Sequence, residues 1–576
     1  MDNRKLVVYG MIFFGFFALV SRLADLMILK HEKFARKSET QRTAIKEIQV
    51  RRGLIFDRQG RRLAINLENN SVFLDKANFM ADSDKVQQMA RIVNVNYNDL
   101  MKTINRSKNF TWIKRKIPVE QGEQLTRLNM PGVGLVPEAK RYYTMGTFAS
   151  HVIGFVDIDN KGLEGVEGRY NKELIEKGGK YYVEKDARGN IFFTEKENEK
   201  TGNSIALTLD GGLQYIVENE LDEAMSKWKA AAAAAIMMNP YTGEILALAN
   251  RPTYNPNEPS KYGAAARRNR AITDVYEPGS TFKIVTTSAV LEEKLVKPDE
   301  KIDCAGGIDV GGKRIHDVHP NGVLTFMGII QKSSNVGTAK LAQRLGKVKL
   351  YNYVKHFGFG DKTGIDIPGE VSGWIRKPEK WSGTSIGAIP IGQEVATTPL
   401  QIVTAYSMLA NGGYHICPYV VKGLITPGGD IVNPHEIDES KKERILSRRT
   451  VDIMTEALVM VTEEGGTAKF AEVEGNKVAG KTGTAQIFDK ALGRYSSVNY
   501  ISSFVGFVPA QNPAFAMIVV VWNPRGAIYG GVVAGPVFKN IAEKALSYMN
   551  VPKDDIKKKI LVVDNNKSLS HHGRTD

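Results

Sequence analysis

Cysteine is almost absent: Cys304 and Cys417 are the two in a chain of 576 residues. That count excludes a disulfide framework and a cysteine metal cluster, and leaves at most one bond between the two in an exported domain. The nine histidines lack metal-ligand spacing. His316 and His319 are close, but no HExxH or cysteine partner accompanies them, so no metal and no cofactor is expected. No period of 20–50 residues recurs, and the one low-complexity run is the six alanines Ala230–Ala235, which sets a repeat fold aside. Zinc-finger spacings, RNA-binding aromatic motifs and basic heptads are missing too. The net charge of +15 is spread along the chain, and reads as a solvated basic surface with no nucleic acid partner.

What remains is globular. Hydrophobic residues make up 42% and charged residues 24%, the balance of packed domains, and the length calls for two or three folded units. One long apolar run stands out, Leu6–Val20 (LVVYGMIFFGFFALV), continued to Leu29 with Ser21, Arg22 and Asp25 interrupting. A spanning helix needs about 20 residues, so the span includes Arg22 or sets it at the outer interface. No small-residue cleavage site follows, which favours a retained anchor over a removed signal peptide. Basic residues are denser after the run (Lys30, Lys33, Arg36, Lys37) than before it (Arg4, Lys5). By itself that charge bias places the large domain inside. Long domains cross largely regardless of charge, however, and the chemistry below requires the outside.

Residues 30–200 are polar and turn-rich, with no nucleophile beside a base, and read as a non-catalytic scaffold. Within them Arg51–Ala64 (RRGLIFDRQGRRLA) reads as strand, turn at Asp57–Gly60, strand. A second unit spans 201–551. Ile205–Leu209 reads as a strand, and Asp210 as the cap of a helix with apolar face Leu213, Ile216, Val217 and Leu221. The alanine run favours helix by propensity, yet the turn Asn239–Gly243 and the strand-like residues after it make the region a hairpin. Tyr500–Pro509 and Phe515–Trp522 are further strands. Strands first and last with helices between imply an α+β fold, an antiparallel sheet packed by helices. The polar tail 552–576 is expected to be loose.

Three motifs carry chemistry: Ser280–Lys283 (STFK), Ser333–Asn335 (SSN) and Lys481–Gly483 (KTG). A serine hydroxyl needs a base to take its proton. Residues three apart on a helix share a face, so Lys283 stands beside Ser280. Pro278–Gly279 put Ser280 near a helix N-terminus, whose dipole favours developing negative charge. Lys283 must lose its proton to act, helped by burial and a second cation, for which Lys481 is the candidate. Each motif also occurs as a decoy: SxxK at Ser226–Lys229, SxN at Ser107–Asn109 and Ser497–Asn499, KTG at Lys200–Gly202 and Lys362–Gly364. Context selects 280, 333 and 481, which alone combine a Pro-Gly entry, a small-residue strand and the right order.

YEPGSTFK (276–283), KSSNVGT (332–338) and GKTGTAQ (480–486) resemble the three active-site motifs of penicillin-binding proteins. RRGLIFDRQGRRLA, GLEGVEGRYNKEL (162–174), FGFGDKTGIDIPGE (357–370) and IGQEVATTPLQ (391–401) resemble class B members, and RRNRAITDVYEPGST (267–281) is most similar to the division-type septal branch. Thr144 in KRYYTMG stands where that family would have proline. The resemblance implies an N-terminal transmembrane helix (6–29, after a cytoplasmic 1–5), an elongated, mostly β pedestal and a penicillin-binding/serine β-lactamase-like transpeptidase domain outside the cytoplasmic membrane. It implies a D,D-transpeptidase in which Ser280 attacks the D-Ala–D-Ala carbonyl with Lys283 as base. Ser333 would relay the proton, and Asn335 would orient Lys283 and the substrate amide. Lys481, Thr482 and Thr484 would receive the substrate carboxylate, and Gly483 would keep the strand flat. Partners implied are stem peptides, β-lactams, the membrane and a polytopic glycan polymerase. An elongation-type enzyme, a D,D-carboxypeptidase, and a β-lactam-hydrolysing or β-lactam-sensing relative are the alternatives. The uncleaved anchor, the large scaffold and the roughly five residues before the span argue against the last three.

Overall fold

A computed structural model describes residues 3–34, 43–47, 51–175, 180–185, 191–195, 201–435, 443–489 and 493–554. The chain divides into two compact units, neither continuous in sequence. The expectation for the tail 552–576 lies outside the described residues from 555 onward.

The first unit comprises residues 1–52, 66–141 and 175–202. It opens with the helix Asn3–Ala24, prolonged to Leu29 by a wider turn in which Lys30 N donates to Asp25 O at 2.8 Å. Lys5–Leu29 is long and apolar enough to cross a membrane: 25 residues, about 37 Å at 1.5 Å per residue. None of this apolar stretch is buried among the described residues. Arg22 and Asp25 share one face, 2.8 Å apart, and Lys30 joins them at 2.7 Å. Among its described residues 66–141, this unit also holds the short helices Ser83–Ile92, Tyr97–Arg106 and Val119–Arg127. Asp82 and Asn96 cap the first two, each accepting from a backbone N–H one turn in. Val86, Met89, Leu100, Ile104 and Leu125 bury one stripe of each helix together with Val72, Leu74 and Ile117 from strands.

The second unit comprises 53–65, 142–174 and 203–576. Its main sheet has five strands: β1 (Ala232–Met238), β2 (Ile245–Arg251), β3 (Ala479–Asp489), β4 (Arg494–Val508) and β5 (Phe515–Trp522), in the order β2-β1-β5-β4-β3 and antiparallel throughout. Every residue of β1, β2 and β5 is buried, so both faces are covered. Helices α1 (Gly211–Trp228) and α6 (Gly530–Tyr548) pack on each other and on the sheet, α4 (Pro399–Ala410) packs on the central strands, and α5 (Arg448–Thr462) packs on β3. The alanine run is strand, as the turn chemistry requires. Ala233, Ala234 and Ala235 pair with both β2 and β5, and their short side chains let helices approach closely. In the turn, Asn239 Oδ1 accepts from Tyr241 N at 2.9 Å and Gly243 takes φ +83°. Asp210 caps α1, accepting from Gly212 N and Leu213 N at 2.9 and 3.2 Å.

The early hairpin forms as read. Ile55–Phe56 pairs with the strand that starts at Arg62, and also, in parallel, with Ser204–Leu207. The expected strand 205–209 is therefore shifted and short, since Asp210 must be left to cap α1. Thr144 has a use proline lacks: its N–H donates to Leu63 O at 3.1 Å, and its hydroxyl donates to Arg62 O at 2.6 Å. Both cysteines are free thiols, Cys304 buried and Cys417 exposed.

Candidate active site

The nucleophile candidate enters from a sharp turn. Gly279 takes φ +57°, with the place of a Cβ 3.1 Å from Thr484 O, so this bend suits glycine alone. A single tight turn, Gly279–Phe282, then leads into α2 (Lys283–Glu292), buried along Lys283–Leu291. Thr281 Oγ1 donates to Pro278 O at 2.8 Å, and Tyr406 OH donates to Thr281 O at 3.0 Å, which fixes the turn against α4. Ser280 is half-buried and opens into a cavity of about 910 Å³.

Lys283 lies below it, 3% exposed. Its Nζ donates to Ser333 O at 2.6 Å, Asn335 Oδ1 at 2.7 Å and Ser333 Oγ at 3.2 Å. Ser333 offers both oxygens because it adopts φ +57°, a strained conformation for serine of the kind found where function fixes geometry. Asn335 opens helix α3 (Asn335–Leu345), and its Nδ2 donates to His316 O at 3.0 Å, which turns its Oδ1 toward the lysine.

Lys481, on the edge strand β3, is 1% exposed and donates to the same Ser333 Oγ at 2.9 Å. Two lysines thus meet at one hydroxyl with no carboxylate in salt-bridge range of either among the described residues. Burial pushes Lys283 down to about 7, against the pull of Asp317. Burial, and then the charge of Lys283, hold Lys481 well below the usual lysine range. The pair resists carrying two protons and is short of negative charge.

β3 also brings Thr482 and Thr484 to the cavity. Thr482 Oγ1 lies 3.2 Å from Thr467 Oγ1, and Thr484 Oγ1 accepts from Gly530 N, at the start of α6, at 3.0 Å. Gly483 has a plain steric reason: a Cβ there would run into Ser503 Oγ on the paired strand β4, and would sit 3.0 Å from both Pro278 O and Thr281 Cγ2. A side chain there would crowd both the neighbouring strand and the Ser280 turn.

All eight residues singled out from sequence, Ser280, Lys283, Ser333, Asn335, Lys481, Thr482, Gly483 and Thr484, converge on this cavity or its floor. The decoys do not. Ser226 and Lys229 are exposed at the end of α1, Ser107–Asn109 belongs to the first unit, and Ser497 and Lys362 are exposed. Lys200 lies outside the described residues. Sequence reasoning missed Asp317. Its carboxylate accepts from Ser334 Oγ (2.8 Å), Val336 N (2.9 Å) and Asn321 Nδ2 (2.7 Å), and so pins the SSN loop to the start of α3. An aspartate between two histidines, shortly before the motif, was the available signal.

Residues 233–543 match the family model described as the penicillin binding protein transpeptidase domain, and residues 47–207 the penicillin-binding protein dimerisation domain. Stage V sporulation protein D of Bacillus subtilis is 36% identical, covering 96% of this chain and 88% of that protein. Peptidoglycan D,D-transpeptidase FtsI of Escherichia coli is 31% identical, covering 96% and 92%. The crystal structure of penicillin binding protein 3 from Mycobacterium tuberculosis, complexed with aztreonam, superposes with a TM-score of 0.69 at 28% identity, covering 88% of this chain and 98% of that one. With the fold, the motifs and full-length relatives in agreement, the chain belongs to the penicillin-binding protein family and is a serine-type peptidoglycan D,D-transpeptidase.

Proposed function

We propose that the protein cross-links peptidoglycan stem peptides through an acyl-enzyme on Ser280, in septal wall synthesis during division. The observation that carries the reading is the meeting of two buried lysines at Ser333 Oγ beneath the nucleophile. At rest the pair holds one proton, on Lys283, which has three acceptors. A donor whose C-terminal carboxylate docks at Thr482 supplies the missing negative charge. The proton then settles on Lys481 by way of the Ser333 hydroxyl, and Lys283 is left neutral. Neutral Lys283 takes the Ser280 proton as Oγ bonds to the D-Ala carbonyl carbon. Backbone N–H groups of Ser280 and Thr484 hold the oxyanion. The C–N bond breaks as Ser333 passes the proton to the departing D-Ala nitrogen. An amine of a second stem then forms the new C–N bond by the reverse proton path and restores Ser280. A β-lactam takes the donor's place and stalls at the acyl stage.

Incubation of purified protein with a D-Ala–D-Ala donor and an amine acceptor should give the amide product. Hydrolysis alone would make it a carboxypeptidase. Depletion from growing cells should give filaments, whereas rounded cells would assign elongation. The sporulation protein among the relatives favours a second reading, the same chemistry at another stage, which depletion without a growth phenotype would support.

The substrate lies outside the cytoplasmic membrane, so the anchor is read as single-pass with the N-terminus inside. The Arg22–Asp25–Lys30 cluster suits the outer interface or contact with a polytopic glycan polymerase, since ionisable groups at membrane depth face protein or water. A periplasmic-type reporter fused after residue 554 should be active, and activity of a cytoplasmic reporter alone at that site would reverse the orientation.

A further inference from the structure

Glu277 has no part in the acyl-transfer steps above, yet it lines the same cavity three residues before the nucleophile. Its half-buried carboxylate accepts from Glu394 N at 2.9 Å and from Tyr495 OH at 3.0 and 2.9 Å. Among the described residues these partners are neutral. Glu394, which faces it, is itself taken by Arg376 and Ser385 Oγ. Lys313 is the nearby cation, and it acts on Glu277 only through space. Tyr495 is set by Phe488, its cross-strand neighbour, with ring centroids 5.4 Å apart. Burial pushes the phenol up, and Glu277's charge adds to this, so it stays a donor. A fixed, half-buried carboxylate facing a cavity, with no cation in salt-bridge range among the described residues, calls for a cation.

Position along β3 says which one. A peptide laid on this edge strand advances about 3.4 Å per residue, in step with the strand. With the donor's carboxylate at Thr482 and its scissile carbonyl between Ser280 and Thr484, the residue before the scissile D-Ala lies beside Gln486. Phe488 and Tyr495 come next, and Glu277 reaches over from the Ser280 turn. Because cross-linking joins two copies of one kind of stem, the donor bears the same amine-tipped side chain that the acceptor uses. Resting on the transpeptidase reading above, we infer that Glu277, held by Tyr495, is a specificity site that binds the ammonium group on the donor side chain next to the scissile D-Ala. Holding that amine there also keeps it off the acyl carbonyl, which is then left to the incoming stem.

The test compares two D-Ala thioester donors, identical except for lysine or norleucine before the D-Ala, on the full chain in detergent. Acylation is normalised to labelling by a penicillin with an uncharged side chain. Wild type should favour the lysyl donor about tenfold in kcat/KM, mostly in KM, equivalent to about 1.4 kcal/mol. Glu277→Gln, which keeps the hydrogen bonds' shape but not the charge, should bring the two donors within about twofold. Tyr495→Phe should lose part of the preference. Equal use of both donors by wild type, or a preference that survives Glu277→Gln, overturns the assignment. An effect of Glu277→Gln confined to the amine-dependent second half-reaction also overturns it, by moving Glu277 to the acceptor. Failure of wild type to be acylated by either donor or by penicillin sinks the transpeptidase reading itself, an outcome distinct from the others.

Discussion

Ser280→Ala should abolish covalent labelling by a fluorescent penicillin, a loss of at least about 10³-fold in acylation, because without a nucleophilic oxygen no ester forms. The effect should be confined to chemistry. Ser280 is half-buried at a cavity wall, and the turn around it is held by Thr281, Pro278 and Tyr406, so the protein should fold and bind the drug reversibly. Ser226→Ala is the internal control. That serine also has a lysine three residues on, but both are exposed at a helix end away from the cavity, and labelling should be unchanged. Mass spectrometry of the labelled peptide should place the adduct on Ser280. An adduct on Ser226, or full labelling of Ser280→Ala, would refute the assignment.

The contrast between these two serines shows what a sequence can convey about such a site. Motif, order and entry residues separate Ser280, Ser333 and Lys481, which the fold brings together, from the decoys among the described residues, because a Pro-Gly turn and a small-residue strand are local features. Caps and turns were legible for the same reason: Asp210, Asn239 and Gly243 act within a few residues of themselves. Depth was legible only in part. Burial of Lys283 and a second cation at Lys481 follow from the chemistry, but their meeting at one hydroxyl joins residues 198 positions apart through Ser333, and nothing local announces that geometry or the burial of Lys481. Asp317 acts through a loop that folds back on the SSN motif, so its role depends on a tertiary contact. Strand flatness accounts for only part of Gly483, whose missing Cβ also makes room for Ser503 on the paired strand and for Pro278 and Thr281, two hundred residues earlier. The three helices of the first unit escaped because each buries only a narrow stripe within a polar segment.

Lys481→Ala should cost acylation at pH 7 about 10²-fold, and its pH profile should reveal why. In the free protein Lys283 sits at about 7, depressed by burial. Once a carboxylate docks, Lys481 takes the charge and its repulsion keeps Lys283 neutral, so the first-order acylation constant of wild type should rise with pH on a limb at or below about 7. Without Lys481 the carboxylate meets Lys283 as the one remaining buried cation of the pair. An adjacent anion favours the charged form, so Lys283 keeps its proton and the limb moves up by about one unit or more. That accounts for about tenfold at neutral pH. Loss of the charge-assisted contact to the carboxylate accounts for a similar factor. The two parts separate experimentally: the first is recovered by raising the pH, and the second persists at every pH as weaker reversible binding. Lys362→Ala, in an exposed loop with the same Lys-Thr-Gly lettering, should match wild type throughout. Equal rates for the two variants would refute the choice of motif. A limb that stays in place in Lys481→Ala would show that Lys481 only binds the carboxylate and takes no part in emptying the base.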